Sequence, residues 1–142
     1  MERSLWPREH GVYAQVSLPL FTGLFISPTL AGALIGSAVV AAFLLHEPLL
    51  VLTGGRGNRR KAELATTAKT HLAVLASGAL AAGGGGFLLA PLPARVALMP
   101  LVGCGLLTLF VAWRHVTKTI LGELLVALTF SLALLPVTLA GR

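Results

Sequence analysis

A chain of 142 residues that is 56% hydrophobic and only 11% charged lacks the polar surface of a soluble domain, which carries about 25% charged residues. Its mean hydropathy of +0.86, with apolar runs near the ~20 residues of a bilayer-crossing helix, places it in a membrane. The formal charge of +6 does not point to nucleic acid, because the basic residues sit between apolar runs, where they orient a membrane protein and meet anionic lipid headgroups.

No stretch alternates with period two as a barrel strand does, and apolar helices satisfy their own backbone polar groups. The expected fold is therefore an all-α polytopic transmembrane helical bundle, one membrane domain over residues 1–142 with no soluble domain. The opening "MERSLWPREHG" keeps charges of both signs as far as Glu9 and offers no cleavage site, so it reads as an interfacial segment rather than a signal peptide. Trp6 and Tyr13 suit an aromatic belt, and "PREHG" would let Glu9 and His10 fold over the inner mouth of the bundle.

Five apolar segments follow in order: Val12–Ile26, Leu30–Thr53, Leu64–Ala90, Val96–Trp113 and Ile120–Ala140. The first is short, about 22 Å as a helix, and contains Gln15 and Pro19. A minimal "SPT" turn leads to the second, which ends at the basic loop "GGRGNRRKAE". The third holds Gly83–Gly86, read as a close-packing surface for a neighbouring helix in preference to a break lining a cavity. "PLPAR" and "RHVTKT" bound the fourth, where the lone Cys104 reads as a small packing residue and permits no intrachain disulfide.

Charge sets the expected topology. With a cytoplasmic N-terminus and five spans, Arg3, Arg8, Arg56, Arg59, Arg60, Lys61, Arg114 and Lys118 fall inside, and only Arg95 and Arg142 fall outside. This agrees with the positive-inside bias and implies a multi-pass protein of the inner (plasma) membrane. An odd span count ending at "TLAGR" is compatible with a chain that forms the N-terminal part of something longer.

Candidate chemistry gathers on the same side. Glu47 precedes the basic loop by about seven residues, roughly 10 Å of helix, and a hairpin centred on Gly57 brings Lys69 and His71 to a similar depth. Glu123 lies a similar step into the fifth segment. Charges inside a bilayer cost a few kcal/mol each, so several at one depth imply mutual pairing or a polar pocket. Pairing of Glu47 with Lys69 or His71 is one expectation, and a site that also uses His10, His46, His115 and Glu123 is the other. The catalytic candidates are Glu47, Glu123 and His46. Arg8, His10, Arg59, Arg60, Lys69, His71, Arg114 and Lys118 are candidates for binding an anionic substrate. No HExxH or His/Cys metal spacing is present, and "GGRGNRR" lacks the Lys-Ser/Thr of a phosphate-binding P-loop.

"WPREHGVY" before an apolar helix, "HEPLLVL" with its basic loop, and "KTILGELLVALTFSLALLPV" together resemble the YwiC-like integral membrane proteins. That family is uncharacterised, so the resemblance implies a membrane class and no reaction. The layout is also similar to UbiA-type prenyltransferases, which hold a prenyl diphosphate through Mg²⁺. Their Asn-Asp start would fall on His46 and Glu47, while their later aspartates would fall on Leu50 and Gly54, which offer no carboxylate. No cofactor is otherwise implied, and Mg²⁺ enters by that similarity alone.

The leading expectation is a cytoplasmic-leaflet polar pocket that binds or transfers a lipid or isoprenoid phosphate, with membrane lipids as partners. One rival is a small transporter or transporter subunit that uses the inner ionisable cluster. Another is a non-catalytic membrane scaffold or assembly factor.

Overall fold

A computed structural model of the chain describes residues 10–114 and 120–141. Among these residues seven helices follow one another: α1 (His10–Ile26), α2 (Leu30–Leu44), α3 (His46–Thr53), α4 (Asn58–Leu89), α5 (Leu92–Trp113), α6 (Ile120–Leu132) and α7 (Leu134–Leu139). No strand occurs among the described residues.

Two of the helix breaks have the same cause. Leu45 and Ala133 separate α2 from α3 and α6 from α7, each with αR dihedrals that keep the chain running onward. Each stands three residues before a proline, Pro48 or Pro136. A proline cannot donate to the carbonyl four residues back and crowds it. Those carbonyls belong to Leu44 and Leu132, the last residues of α2 and α6. The seven helices therefore form five rods, as the five apolar segments predict.

Four rods are long and apolar enough to cross a membrane: Leu30–Thr53, Asn58–Leu89, Leu92–Val111 and Gly122–Leu139. Their sides carry large exposed apolar groups such as Leu80, 77% exposed, and Leu92, 73% exposed, which belong against lipid rather than water. The protein is an integral membrane protein. The remaining rod, α1, has 17 residues, about 26 Å, and runs unbroken through Pro19 beside α2, α6 and α7.

The interior is built from one main cluster. Val16 and Leu20 of α1, Ile35 of α2, Leu101 of α5, Phe130 of α6 and Val137 of α7 meet there. Edge-on ring contacts from Tyr13 to Phe43 (5.7 Å) and from Phe43 to Phe130 (5.6 Å) tie α1, α2 and α6 together. Thr108 on α5 and Thr129 on α6 share a hydroxyl hydrogen bond of 3.0 Å. A smaller cluster of Val51, Leu64 and Ala68 joins α3 to the first half of α4.

The glycine run packs, as expected, and does not break the helix. Gly83–Gly86 lies within α4, which passes against α2. A methyl group on Gly86 would sit 2.8 Å from Ile35 Cγ1 and 3.1 Å from the Ile35 backbone nitrogen. On Gly84 it would meet nothing within 4 Å.

Two loops are shorter than the sequence suggests. "NRRKAE" contains no helix breaker and forms the start of α4, so the turn shrinks to Gly54–Gly57. Gly54 and Gly57 make that reversal with φ of 85° and 95°, a region open to glycine at little cost. At the opposite end "PLPAR" is nearly all helix, and Arg95 caps α4 by donating from Nε to the Ala90 carbonyl (2.8 Å) and from Nη2 to that of Leu88 (2.9 Å).

The early start gives α4 its 32 residues, about 48 Å against a hydrocarbon core of about 30 Å. Its uncharged, largely apolar stretch, Leu72–Leu89, accounts for about 27 Å. The polar stretch Asn58–His71 therefore carries the tip of the α3–α4 hairpin toward water. Cysteine labelling tests its side. On a background without Cys104, a cysteine replacing the exposed Asn58 should resist impermeant maleimide in intact cells and react after lysis. Reaction in intact cells would reverse the topology.

Candidate functional site

The sharpest feature among the ionisable groups is Glu47. It lies in the first turn of α3 and is 2% exposed. Arg56, in the Gly54–Gly57 turn, folds back and grips it side-on. Nε donates to Oε1 at 3.0 Å and Nη2 to Oε2 at 2.6 Å. Arg60, in the first turn of α4, brings Nη2 to 4.0 Å from Oε1.

Local sequence explains this arrangement. Left-handed Gly54 ends α3 and Gly57 launches α4, so the chain reverses within four residues. A long side chain at position 56 can then run back along α3 and reach the carboxylate nine residues earlier. A side-on Arg–carboxylate pair is geometrically specific and stronger than a neutral hydrogen bond. Burial raises the cost of leaving either charge alone. The pair staples the turn.

The guanidiniums are not sealed in with the carboxylate. The side chain of Glu47 is 3% exposed, against 31% for Arg56 and 25% for Arg60. Arg56 spends Nε and Nη2 on Glu47, and its Nη1 amino group is directed away from that pair by the planar geometry of the fork. Arg59 extends along α4 to Glu63 (3.0 Å) in an exposed i,i+4 pair, and Lys61 is exposed beside it.

The expected partners of Glu47 are replaced. Its carboxylate pairs with Arg56 and Arg60, and Lys69 and His71 stand exposed. Leu64 and Ala68 are the residues α4 buries against α3, and Lys69 is turned about 100° from Ala68 around the helix. The symmetric hairpin register assumed from sequence fails because the turn is centred earlier and α4 starts at Asn58.

The remaining candidates are dispersed. His46 is half-buried at the start of α3, next in sequence to Glu47. Glu123 is exposed in the first turn of α6. Arg114 is exposed at the end of α5, with its guanidinium 6.0 Å from the Phe110 ring centre. His10 is the first residue of α1. Arg8, Glu9, His115, Lys118 and Arg142 lie outside the described residues. The structure thus brings together Glu47 and Arg60 from the sequence candidates and adds Arg56. The signal for Arg56 was its place just after a helix-ending glycine pair, within side-chain reach of Glu47.

Chemically, this is a charged cluster at one end of the bundle. Among the described residues, Arg56, Arg59, Arg60, Lys61 and Arg114 lie at that end and Arg95 at the other. No group of three or more His, Cys, Asp or Glu side chains able to hold a metal ion occurs among the described residues. Leu50 and Gly54, where UbiA-type enzymes have aspartates, lie in the buried side of α3 and in the turn.

No curated protein and no solved structure matches the chain. The model of one family, described as YwiC-like protein, matches residues 6–138. That match covers α1–α6 and all but the last residue of α7, with the Glu47 cluster inside it, and the chain belongs to the YwiC-like family.

Proposed function

We propose that this membrane protein binds the phosphate of an anionic lipid, a phospholipid or an isoprenoid phosphate, at its basic end, on the cytoplasmic side of the plasma membrane. The observation that carries the reading is the Glu47 cluster. One buried carboxylate fixes Arg56 side-on and draws Arg60 to within 4.0 Å, while about a quarter to a third of each arginine side chain stays accessible. Fixed guanidiniums meet phosphate oxygens with less entropy to lose than free ones. In this reading Glu47 is a positioning residue. Both its oxygens face arginine, so neither is turned toward a substrate as an acid or base.

Binding is tested on purified protein in non-ionic detergent with short-chain phosphatidic acid, an isoprenyl monophosphate, phosphatidylcholine and inorganic phosphate. The two lipid phosphates should each bind at least about tenfold more tightly than phosphatidylcholine, and inorganic phosphate should compete poorly. A hydrogen bond to a charged group contributes about 1.5–3 kcal/mol, so Arg60→Gln should weaken lipid phosphate binding by about tenfold or more. Lys69→Gln should change it by less than about twofold. Equal binding of phosphatidylcholine, or Arg60→Gln binding as the parent does, would refute the reading.

A further inference from the structure

A second feature lies on another side of the bundle. A groove of about 220 Å³ opens laterally between α1 and α6, lined by Gln15, Leu18, Pro19, Ala127, Phe130 and Ser131. The lining residues repeat with the same spacing on both helices, and further along α1 Gly23 packs against Val137 and Leu134, a parallel register that puts Gln15 near the level of Ala127 and Pro19 near that of Ser131. Phe130 forms the buried floor, and Leu18 is exposed at the side. Ser131 donates its hydroxyl to the Ala127 carbonyl at 2.8 Å.

Two polar groups on this face are unaccounted for. The Gln15 carboxamide is exposed and makes no hydrogen bond with any other described residue. Glu123 is exposed and makes no ion pair or hydrogen bond with one. Glu123, Ala127 and Ser131 are spaced four apart, so they form one stripe along α6. Glu123 therefore stands one turn, about 6 Å along the axis, before the lining residue Ala127, on the basic-end side of the groove. A carboxylate and a carboxamide facing lipid are costly unless something answers them.

We propose that this groove holds a phospholipid with a primary-amine headgroup. Its ammonium meets the Glu123 carboxylate, an ester carbonyl about 6 Å deeper accepts from the Gln15 amide, and an acyl chain lies against Leu18, Pro19 and Phe130. Spacing and charge select this occupant over the others. A simple hydrophobic amine would leave Gln15 unanswered. A second copy docked two-fold through this stripe would bring the two Glu123 carboxylates toward each other. A phosphate-only headgroup would meet the carboxylate with the same sign of charge. This site is separate from the basic-end site and does not rest on it.

The test offers delipidated protein an equimolar mixture of phosphatidylethanolamine, phosphatidylcholine and phosphatidylglycerol with identical chains, read by native mass spectrometry. Phosphatidylethanolamine should be retained at least about fivefold over phosphatidylcholine, whose quaternary ammonium has no N–H to donate. Glu123→Gln and Gln15→Leu should each remove most of that preference. Glu123→Asp should keep most of it, and Arg60→Gln should leave it unchanged. Both changed positions are exposed, and melting curves in detergent should match the parent. The site is overturned if Glu123→Gln and Gln15→Leu retain phosphatidylethanolamine as the parent does, if Arg60→Gln abolishes the preference, or if Gln15→Cys, on a background without Cys104, gives an efficient disulfide-linked dimer in membranes.

Discussion

Arg56→Ala should be the most damaging single change at the basic end, costing about 3–5 kcal/mol by analogy with broken buried pairs in soluble proteins. It strips the side-on partner from a carboxylate that is 2% exposed and leaves it only the looser approach of Arg60, at 4.0 Å. Glu47→Gln should cost less. It leaves behind Arg56, which is 31% exposed and can swing its flexible stem toward water. The amide also keeps an oxygen that can accept one guanidinium N–H. Thermal unfolding in detergent should therefore rank the parent above Glu47→Gln, and Glu47→Gln above Arg56→Ala. The reverse order would mean that Glu47 is not held by Arg56 in the membrane.

Gly86→Ala should be the most damaging of the alanine substitutions in the glycine run, while Gly84→Ala should be neutral or slightly stabilising. At Gly86 the new methyl group would stand 2.8 Å from Ile35 Cγ1 and 3.1–3.3 Å from backbone atoms of Ile35 and Ala31. A side-chain tip can move, but helix backbone cannot without parting α2 from α4. Overpacking of a core costs about 1–3 kcal/mol, and the backbone contact puts this case toward the upper end. At Gly84 the methyl group has open space, so helix propensity alone acts, up to about 1 kcal/mol in favour of alanine. Melting temperatures of the two variants separate these effects. Equal stability would mean that α4 does not meet α2 through Gly86.

Much of this architecture is legible in the sequence because hydropathy is a local signal. The apolar segments give the five rods, and the prolines at 48 and 136 account for the breaks inside two of them. Helix packing at Gly83–Gly86 is also readable from small residues in an apolar run. What fails is register. Placing Glu47 against Lys69 assumes a hairpin folded symmetrically about Gly57, whereas the chain turns tightly at Gly54–Gly57 and continues at once into α4. A shift of a few residues rotates a helical side chain to another face, so Lys69 is lost from the cluster and Arg56 takes its role. Pairings between distant elements leave even less trace. The Thr108–Thr129 hydrogen bond and the α1–α6 groove join positions whose neighbours in sequence say nothing of each other.

The central claim is that lipid phosphate is held at the basic end by the Arg56–Glu47–Arg60 arrangement, and photocrosslinking locates that contact most directly. A phosphatidic acid analogue carrying a photoreactive group next to its phosphate is irradiated with the protein in bilayers, and the modified peptides are sequenced by mass spectrometry. Modification should concentrate within residues 54–63 and fall by about tenfold in Arg60→Gln. Modification centred instead on the Arg95 end, or spread equally over both ends and unaffected by Arg60→Gln, would contradict the account.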